Sequence, residues 1–115
     1  MRGRPLARVV CLAAAVSGGA AAGSGASAPA PPAHVHTVTI VGMRFSPATL
    51  QARVGERIEW INADLVPHTV TARDGSFDSK SIPAGATWAW VPTRAASVAY
   101  ACAYHPDMTA TATIR

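Results

Sequence analysis

Apolar and polar residues alternate in short runs along most of the chain after Val35, which is the pattern of half-buried β-strands. No segment between Val35 and Arg115 keeps the apolar period of an amphipathic helix over ten residues. The runs predict strands over residues 35–41, 49–54, 57–62, 68–73, 77–82, 87–91, 97–102 and 109–114, with the weakest pattern at 77–82. Seven or eight short strands at this spacing predict an all-β fold, a Greek-key β-sandwich.

Large side chains that can fill the core of such a sandwich are few. Half of the residues are hydrophobic, but aromatic residues make up only 6% of the chain. Trp60, Trp88 and Trp90 fall on predicted strands, and we expect all three to belong to the core. A domain this small has a marginal core, so a bound metal would add stability that no disulfide supplies.

The first 28 residues have a different character. Three arginines lie in the first eight positions, an apolar run follows over residues 9–16, and small residues continue to Ala28. This order predicts a Sec-type signal peptide over residues 1–28, and hence a periplasmic or otherwise exported protein. Cleavage is predicted after Ala26-Ser27-Ala28, with Ala20-Ala21-Ala22 as the alternative. An uncleaved membrane anchor is the second interpretation, although the apolar run is short for a bilayer span.

The charge of the chain depends on this leader. The formal net charge is +4, but without the three leader arginines seven basic residues face six acidic ones. A nucleic-acid-binding domain would keep a basic patch in its folded part, and none is evident in this sequence. Residues 29–36 are predicted to be a proline-rich linker, and residues 37–115 the folded domain.

The number and positions of the cysteines restrict the possible roles of Cys102. The chain has two cysteines, and Cys11 belongs to the predicted leader, which leaves Cys102 alone in an exported domain. Cysteines of exported proteins are usually paired in disulfides. A lone thiol in that setting is buried, reactive or bound to a metal.

The residues around Cys102 favour the metal. Cys102, His105 and Met108 form a Cys-x2-His-x2-Met motif between two predicted strands, and a distant His68 follows a proline at the start of its own strand. Two imidazoles and a thiolate with a weak axial thioether are the donor set of blue-copper electron-transfer centres. Zinc is the weaker alternative, because structural zinc sites use four Cys or His ligands and gain little from methionine.

Several further segments resemble one family. They are Phe45-Ser46-Pro47, Val54-Gly55-Glu56, Trp60-Ile61-Asn62, Pro67-His68-Thr69-Val70, Phe77-Asp78-Ser79, Pro83-Ala84-Gly85 and the ligand loop from Tyr100 to Met108. With these segments the chain from about Thr37 to Arg115 resembles the cupredoxins, in particular the plastocyanin and amicyanin group. The ligand loop has the spacing of the short amicyanin loop. The resemblance implies one type 1 copper bound by His68, Cys102, His105 and Met108.

Two departures from that family concern the ligand loops. Thr69 stands where many relatives have an asparagine that ties the two loops together; threonine has a hydroxyl but a shorter reach. The Thr69 backbone N–H is still expected to donate a hydrogen bond to the Cys102 sulfur. Tyr104 stands where amicyanin has a proline before the second histidine. Neither departure removes a ligand.

The resemblance also implies a function. It indicates a soluble, monomeric one-electron carrier that passes its electron through His105, with Pro67, Pro106, Met43 and Leu65 as an apolar ring around that histidine. The implied partners are a dehydrogenase donor, such as an amine dehydrogenase, and a c-type cytochrome acceptor. A copper chaperone or copper-storage protein is the alternative. An enzyme is not expected, because four protein ligands leave no open position on the metal.

Overall fold

The computed structural model describes residues 34–115 and, before them, only Gly3, Gly18 and Gly19. Apart from these three glycines, the predicted signal peptide, its cleavage site and residues 29–33 of the predicted linker lie outside the described residues. The first strand begins at Val35, two residues before the predicted start of the domain at Thr37. The reason is that Val35 and His36 already pair with Arg57 and Ile58.

Residues 34–115 form eight strands and no helix. The strands are β1 (Val35–Val41), β2 (Arg44–Ser46), β3 (Thr49–Ala52), β4 (Arg57–Asn62), β5 (Thr71–Ala72), β6 (Thr87–Trp90), β7 (Ala96–Ala101) and β8 (Thr109–Ile114). They make two four-stranded sheets, in the orders β2-β1-β4-β6 and β3-β8-β7-β5. The predicted β-sandwich is confirmed. In this part of the chain no helix is long and apolar enough to cross a membrane.

Both sheets are mixed. β1 runs parallel to β4 and β3 runs parallel to β8, whereas every other strand pair is antiparallel. The β1–β4 register places Val38 opposite Trp60, and both residues are completely buried. The alternating apolar positions of the sequence thus face one shared core between the sheets.

Trp60 lies at the centre of this core. Its indole N–H donates a hydrogen bond of 3.2 Å to the hydroxyl of Tyr100 on the opposite sheet. Its ring is tilted against those of Phe77 and Trp88, with centroids 5.8 and 5.5 Å away. Trp88 and Trp90 pack against the core but keep part of their surface exposed, so only Trp60 is a fully buried tryptophan.

The segments on either side of β5, residues 68–82, differ most from the predicted strands. The predicted strand 68–73 is reduced to Thr71–Ala72, and the predicted strand 77–82 forms only isolated bridges at Asp78 and Ile82. Backbone hydrogen bonds still join the two segments, such as the Ser79 N–H to the Val70 carbonyl at 3.0 Å, but the Val70 N–H donates to the Ser79 hydroxyl at 2.7 Å. The short strand β2 was not predicted from the sequence. It pairs with the end of β1 across the Gly42–Met43 turn.

Candidate metal centre

Three donor atoms meet at one end of the sandwich. The Cys102 sulfur lies 3.7 Å from Nδ1 of His68 and 3.7 Å from Nδ1 of His105. All three donor atoms lie within 4.8 Å of one another, and this is the only such cluster of three metal-binding side chains in the described part of the chain. Metal–sulfur and metal–nitrogen bonds of about 2.3 and 2.0 Å at roughly 120° span about 3.7 Å. The two observed sulfur–nitrogen separations therefore fit three side chains that would hold one metal ion between them.

Cys102 follows the last residue of β7, and the loop after it is closed by its own backbone. The Cys102 N–H donates to the Met108 carbonyl at 3.0 Å, and the His105 N–H donates to the Cys102 carbonyl at 3.2 Å. The Met108 N–H in turn donates to the His105 carbonyl at 2.9 Å. The three predicted ligands of this loop are thus linked in a compact turn. Met108 is buried, with 5% of its surface exposed, just before β8 begins.

His68 comes from the other ligand loop and is completely buried. Its backbone exchanges two hydrogen bonds with Ile82, at 3.2 and 2.7 Å. Its Nε2 atom lies 2.8 Å from a carboxylate oxygen of Asp64. Hydrogen bonds hold the pKa of Asp64 below its usual value, with the Met43 N–H contributing most and partial burial opposing them. An ionised carboxylate therefore faces the outer nitrogen of His68.

The loop before His68 is shaped by a buried amide. Asn62 is completely buried, and its side-chain N–H groups donate to the carbonyls of Val66 and Ile82, both at 2.9 Å. Its side-chain oxygen accepts the Asp64 N–H at 3.0 Å. The Asn62 amide thus bonds twice within the loop 62–68 and once to Ile82, which fixes the loop that leads to His68.

Thr69 joins the two ligand loops twice. Its backbone N–H donates to the Cys102 sulfur at 3.3 Å, as the sequence predicted. Its hydroxyl oxygen accepts the Ala103 N–H at 2.7 Å. The same hydroxyl lies 2.9 Å from that of Thr71, which lies 3.4 Å from a carboxylate oxygen of Asp78. A tie between the loops is therefore present, and threonine supplies it in place of asparagine.

The surroundings of the Cys102 sulfur favour its thiolate form. Burial is the largest single influence and raises the thiol pKa, but hydrogen bonds around the sulfur outweigh it and lower the pKa to about 6. The groups that lower it are the Thr69 backbone N–H first, then the His68 and His105 rings beside the sulfur and the Tyr104 backbone N–H. Because a metal binds the thiolate, little proton competition remains at neutral pH.

The surface next to the cluster is apolar and open. His105 is partly buried and lines a shallow depression together with Met43, Tyr104, Pro106, Asp107 and Met108. Met43 and Tyr104 are 40% and 52% exposed. Met43 and Pro106 thus lie beside His105 as expected. Leu65 is 95% exposed, and neither it nor Pro67 lines this depression.

Two supporting residues were given no role at the metal centre from the sequence. Asp64 lies four positions before His68, between two predicted strands, and Asn62 was named only in a predicted strand and in the segment Trp60-Ile61-Asn62. A carboxylate or amide close before a predicted ligand histidine was the available signal, since ligand histidines commonly donate their second N–H to such groups.

Comparisons with known proteins support the fold. No protein-family model matches the chain, and no curated protein sequence matches it. Among solved structures, a methionine-to-glutamine variant of amicyanin in its Cu(I) form matches with a TM-score of 0.67 and 21% identity, over 70% of this chain and 82% of that chain. A purple cupredoxin from Nitrosopumilus maritimus matches with a TM-score of 0.64 and 23% identity, over 70% of this chain and 99% of that one. A copper-containing nitrite reductase from Thermus scotoductus SA-01 matches with a TM-score of 0.70 and 24% identity, over 77% of this chain but 24% of that one.

The two sheets and these structural neighbours define the class: the chain has a cupredoxin-like fold. Sequence identities of 21–24% indicate a shared fold and do not establish a shared activity. The cluster of His68, Cys102 and His105, together with the fold, fits one type 1 copper site.

Proposed function

We propose that the protein is a soluble carrier of single electrons, with one type 1 copper held by His68, Cys102, His105 and Met108. The convergence of the Cys102 sulfur and two imidazole Nδ1 atoms, each 3.7 Å from the sulfur, carries the proposal, and Cys102 and His68 are completely buried. When bound, copper supplies one-electron redox chemistry between Cu(I) and Cu(II). Soft sulfur suits Cu(I) and imidazole suits both oxidation states, so this donor set suits a centre that cycles.

Electron transfer benefits when the ligands move little. The ligand loop is closed by backbone hydrogen bonds from Cys102 to Met108, and Thr69 ties it to the loop of His68. His68 is fully buried, whereas His105 is partly buried and lies at an apolar depression. These contacts support a rigid centre whose only histidine near the surface, His105, is the route for the electron.

Exposed apolar side chains around His105 suit brief contact with other redox proteins. Met43, Tyr104 and Pro106 supply such a surface beside His105. By resemblance, the proposed donor is a dehydrogenase and the proposed acceptor a c-type cytochrome. We further propose that the protein is exported and works as a monomer.

A chaperone or storage role is the competing function. Such a protein has to release its metal, whereas here the thiol is completely buried and both ligand loops are tied together. Retention of copper during rapid electron self-exchange supports the carrier. Ready transfer of copper to an apo-acceptor would instead support the chaperone.

The centre itself is tested by adding Cu(II) to the purified protein and recording visible and EPR spectra. We expect an intense blue thiolate-to-copper band and a narrow copper hyperfine splitting, both lost in Cys102→Ser. His105→Gln should change the spectrum, whereas His36→Gln should not, because His36 bonds to Glu56 instead of the centre. An ordinary pale Cu(II) spectrum from the unmodified protein would refute the proposed centre.

A further inference from the structure

We propose that Asp64 is a positioning residue of the copper centre, which orients His68 and shifts the redox balance toward Cu(II). The inference rests on the proposed function and adds a residue that the ligand motif does not contain. The Asp64 carboxylate touches no predicted donor atom, yet it contacts the far side of the predicted ligand His68.

The Asp64 carboxylate is held from two sides. One oxygen accepts the Gly42 N–H at 2.7 Å, and the other accepts the Met43 N–H at 3.0 Å. The second oxygen also lies 2.8 Å from Nε2 of His68. Because three contacts fix one small side chain, the carboxylate has little freedom to turn away from the histidine. The His68 side chain is completely buried and that of Asp64 is 15% exposed, so water competes weakly for their contact.

The geometry indicates which ring nitrogen of His68 carries the proton. Nδ1 of His68 faces the Cys102 sulfur, so this nitrogen offers its lone pair to the metal. Nε2 then carries the proton and donates it in a hydrogen bond to Asp64. An anionic acceptor on that proton makes Nδ1 a stronger donor. Stronger donation favours Cu(II) over Cu(I), and the reduction potential falls.

Asp64 also connects His68 with the outer surface. Gly42 and Met43 both have positive φ, at 61° and 60°, so both N–H groups of this tight turn point at one carboxylate. The left-handed region is costly for methionine, and the carboxylate stabilises it there. Met43 lines the depression beside His105. One residue thus fixes both the buried ligand and the turn that carries Met43.

The test compares two carboxylates at the same end of the molecule, the partly buried Asp64 and the exposed Asp107. Asp64→Asn removes the charged acceptor, and Asp107→Asn is the matched control, because Asp107 lies in the ligand loop at the surface without a hydrogen bond to either histidine. We expect Asp64→Asn to raise the reduction potential and to weaken Cu(II) binding by about 10- to 100-fold. The copper hyperfine splitting should change in the same variant. Asp107→Asn should shift the potential less and leave the hyperfine splitting unchanged. Equal effects of the two substitutions would overturn the inference.

A second measurement uses the unmodified protein, so the inference stays testable if Asp64→Asn does not fold. In the Zn(II)-loaded form, NMR should show a strongly downfield His68 Nε2–H proton with nuclear Overhauser contacts to the Gly42 and Met43 amide protons. Absence of that proton signal, or of both contacts, would overturn the inference. Failure of the unmodified protein to form a blue Cu(II) centre would overturn the proposed function itself. A blue protein in which Asp64→Asn matches Asp107→Asn would overturn this inference alone.

Discussion

Replacing Thr69 by valine tests whether a threonine can join the two ligand loops. The substitution keeps the branched shape and removes only the hydroxyl. That hydroxyl accepts the Ala103 N–H at 2.7 Å and lies 2.9 Å from the Thr71 hydroxyl. Asp78 only accepts, so Thr71 donates to Asp78 and accepts from Thr69. The Thr69 oxygen is therefore oriented with its lone pair toward Ala103.

The cost of Thr69→Val follows from the groups it leaves unpaired. A buried donor that loses its partner costs about 1–3 kcal/mol. Ala103 lies at the surface, where water can replace part of the lost bond. We therefore expect a loss in the lower half of that range, about 1–2 kcal/mol. For a domain of this size, each kcal/mol lowers the melting temperature by roughly 4–8 °C.

The matched controls are Thr69→Ser and Thr69→Asn. Serine keeps the hydroxyl and loses one methyl group, which costs about 0.8 kcal/mol of apolar burial. Urea denaturation of the three metal-free variants measures the loss, and the blue band and hyperfine splitting of the copper-loaded forms report the geometry. We expect the spectrum to change in Thr69→Val and to persist in Thr69→Ser. A valine variant that is as stable as the serine variant and gives the unchanged spectrum would contradict the role given to the Thr69 hydroxyl.

Three further predictions concern the metal-free protein. Because the Cys102 pKa is lowered from 9.0 to about 6, the free energy of unfolding should rise with pH between these two values and lose this contribution as the pH falls through 6. Denaturation at several pH values checks this dependence. Cys102→Ser should abolish this rise with pH. Tyr100→Phe leaves the Trp60 N–H without its partner and should cost about 1–3 kcal/mol. Burial raises the Tyr100 pKa to about 12, so stability should fall as the pH rises above 10.0, and the phenylalanine variant should lack that alkaline loss. Asn62→Ala removes three hydrogen bonds and should cost about 3 kcal/mol in the same assay, whereas a loss below about 1 kcal/mol would contradict the role given to this amide.

The approach of Cys102 and His105 could be predicted from the sequence because these residues lie only three positions apart. Cys102, His105 and Met108 lie within seven residues, and their donor types already restrict the metal. The strands with strong alternation, such as β1, β4 and β8, were also predicted with their observed bounds. In these strands every second side chain enters the core, and that periodicity is visible in the sequence.

The segment that carries His68 could not be predicted as well. Its alternation from His68 to Arg73 suggested a continuous strand, yet only Thr71–Ala72 forms a strand, and His68 makes an isolated bridge to Ile82. Val70 gives its N–H to the Ser79 hydroxyl. Alternation reports which side chains are buried, and His68 and Val70 are indeed buried. It does not report which acceptor the backbone uses, and here side chains compete with the neighbouring strand.

The supporting contacts were hidden for a different reason. Asp64 reaches Gly42 across 22 residues, and Thr69 reaches Ala103 across 34. Such pairs form only after the sandwich brings the end of β1, the loop after β4 and the loop after β7 to one end. No short pattern in the sequence contains both partners of such a contact.

These hidden contacts give the donor cluster its geometry. Each ligand loop by itself fixes only its own backbone, as the closed turn from Cys102 to Met108 shows. The relative placement of His68 and the Cys102 sulfur depends on Thr69, which bonds to the sulfur and to the residue after it. The orientation of the His68 ring depends on Asp64. The proposed electron carrier requires both constraints, because copper alone prefers different geometries as Cu(I) and as Cu(II). Removing either constraint should therefore change the spectrum and the potential before it removes the metal.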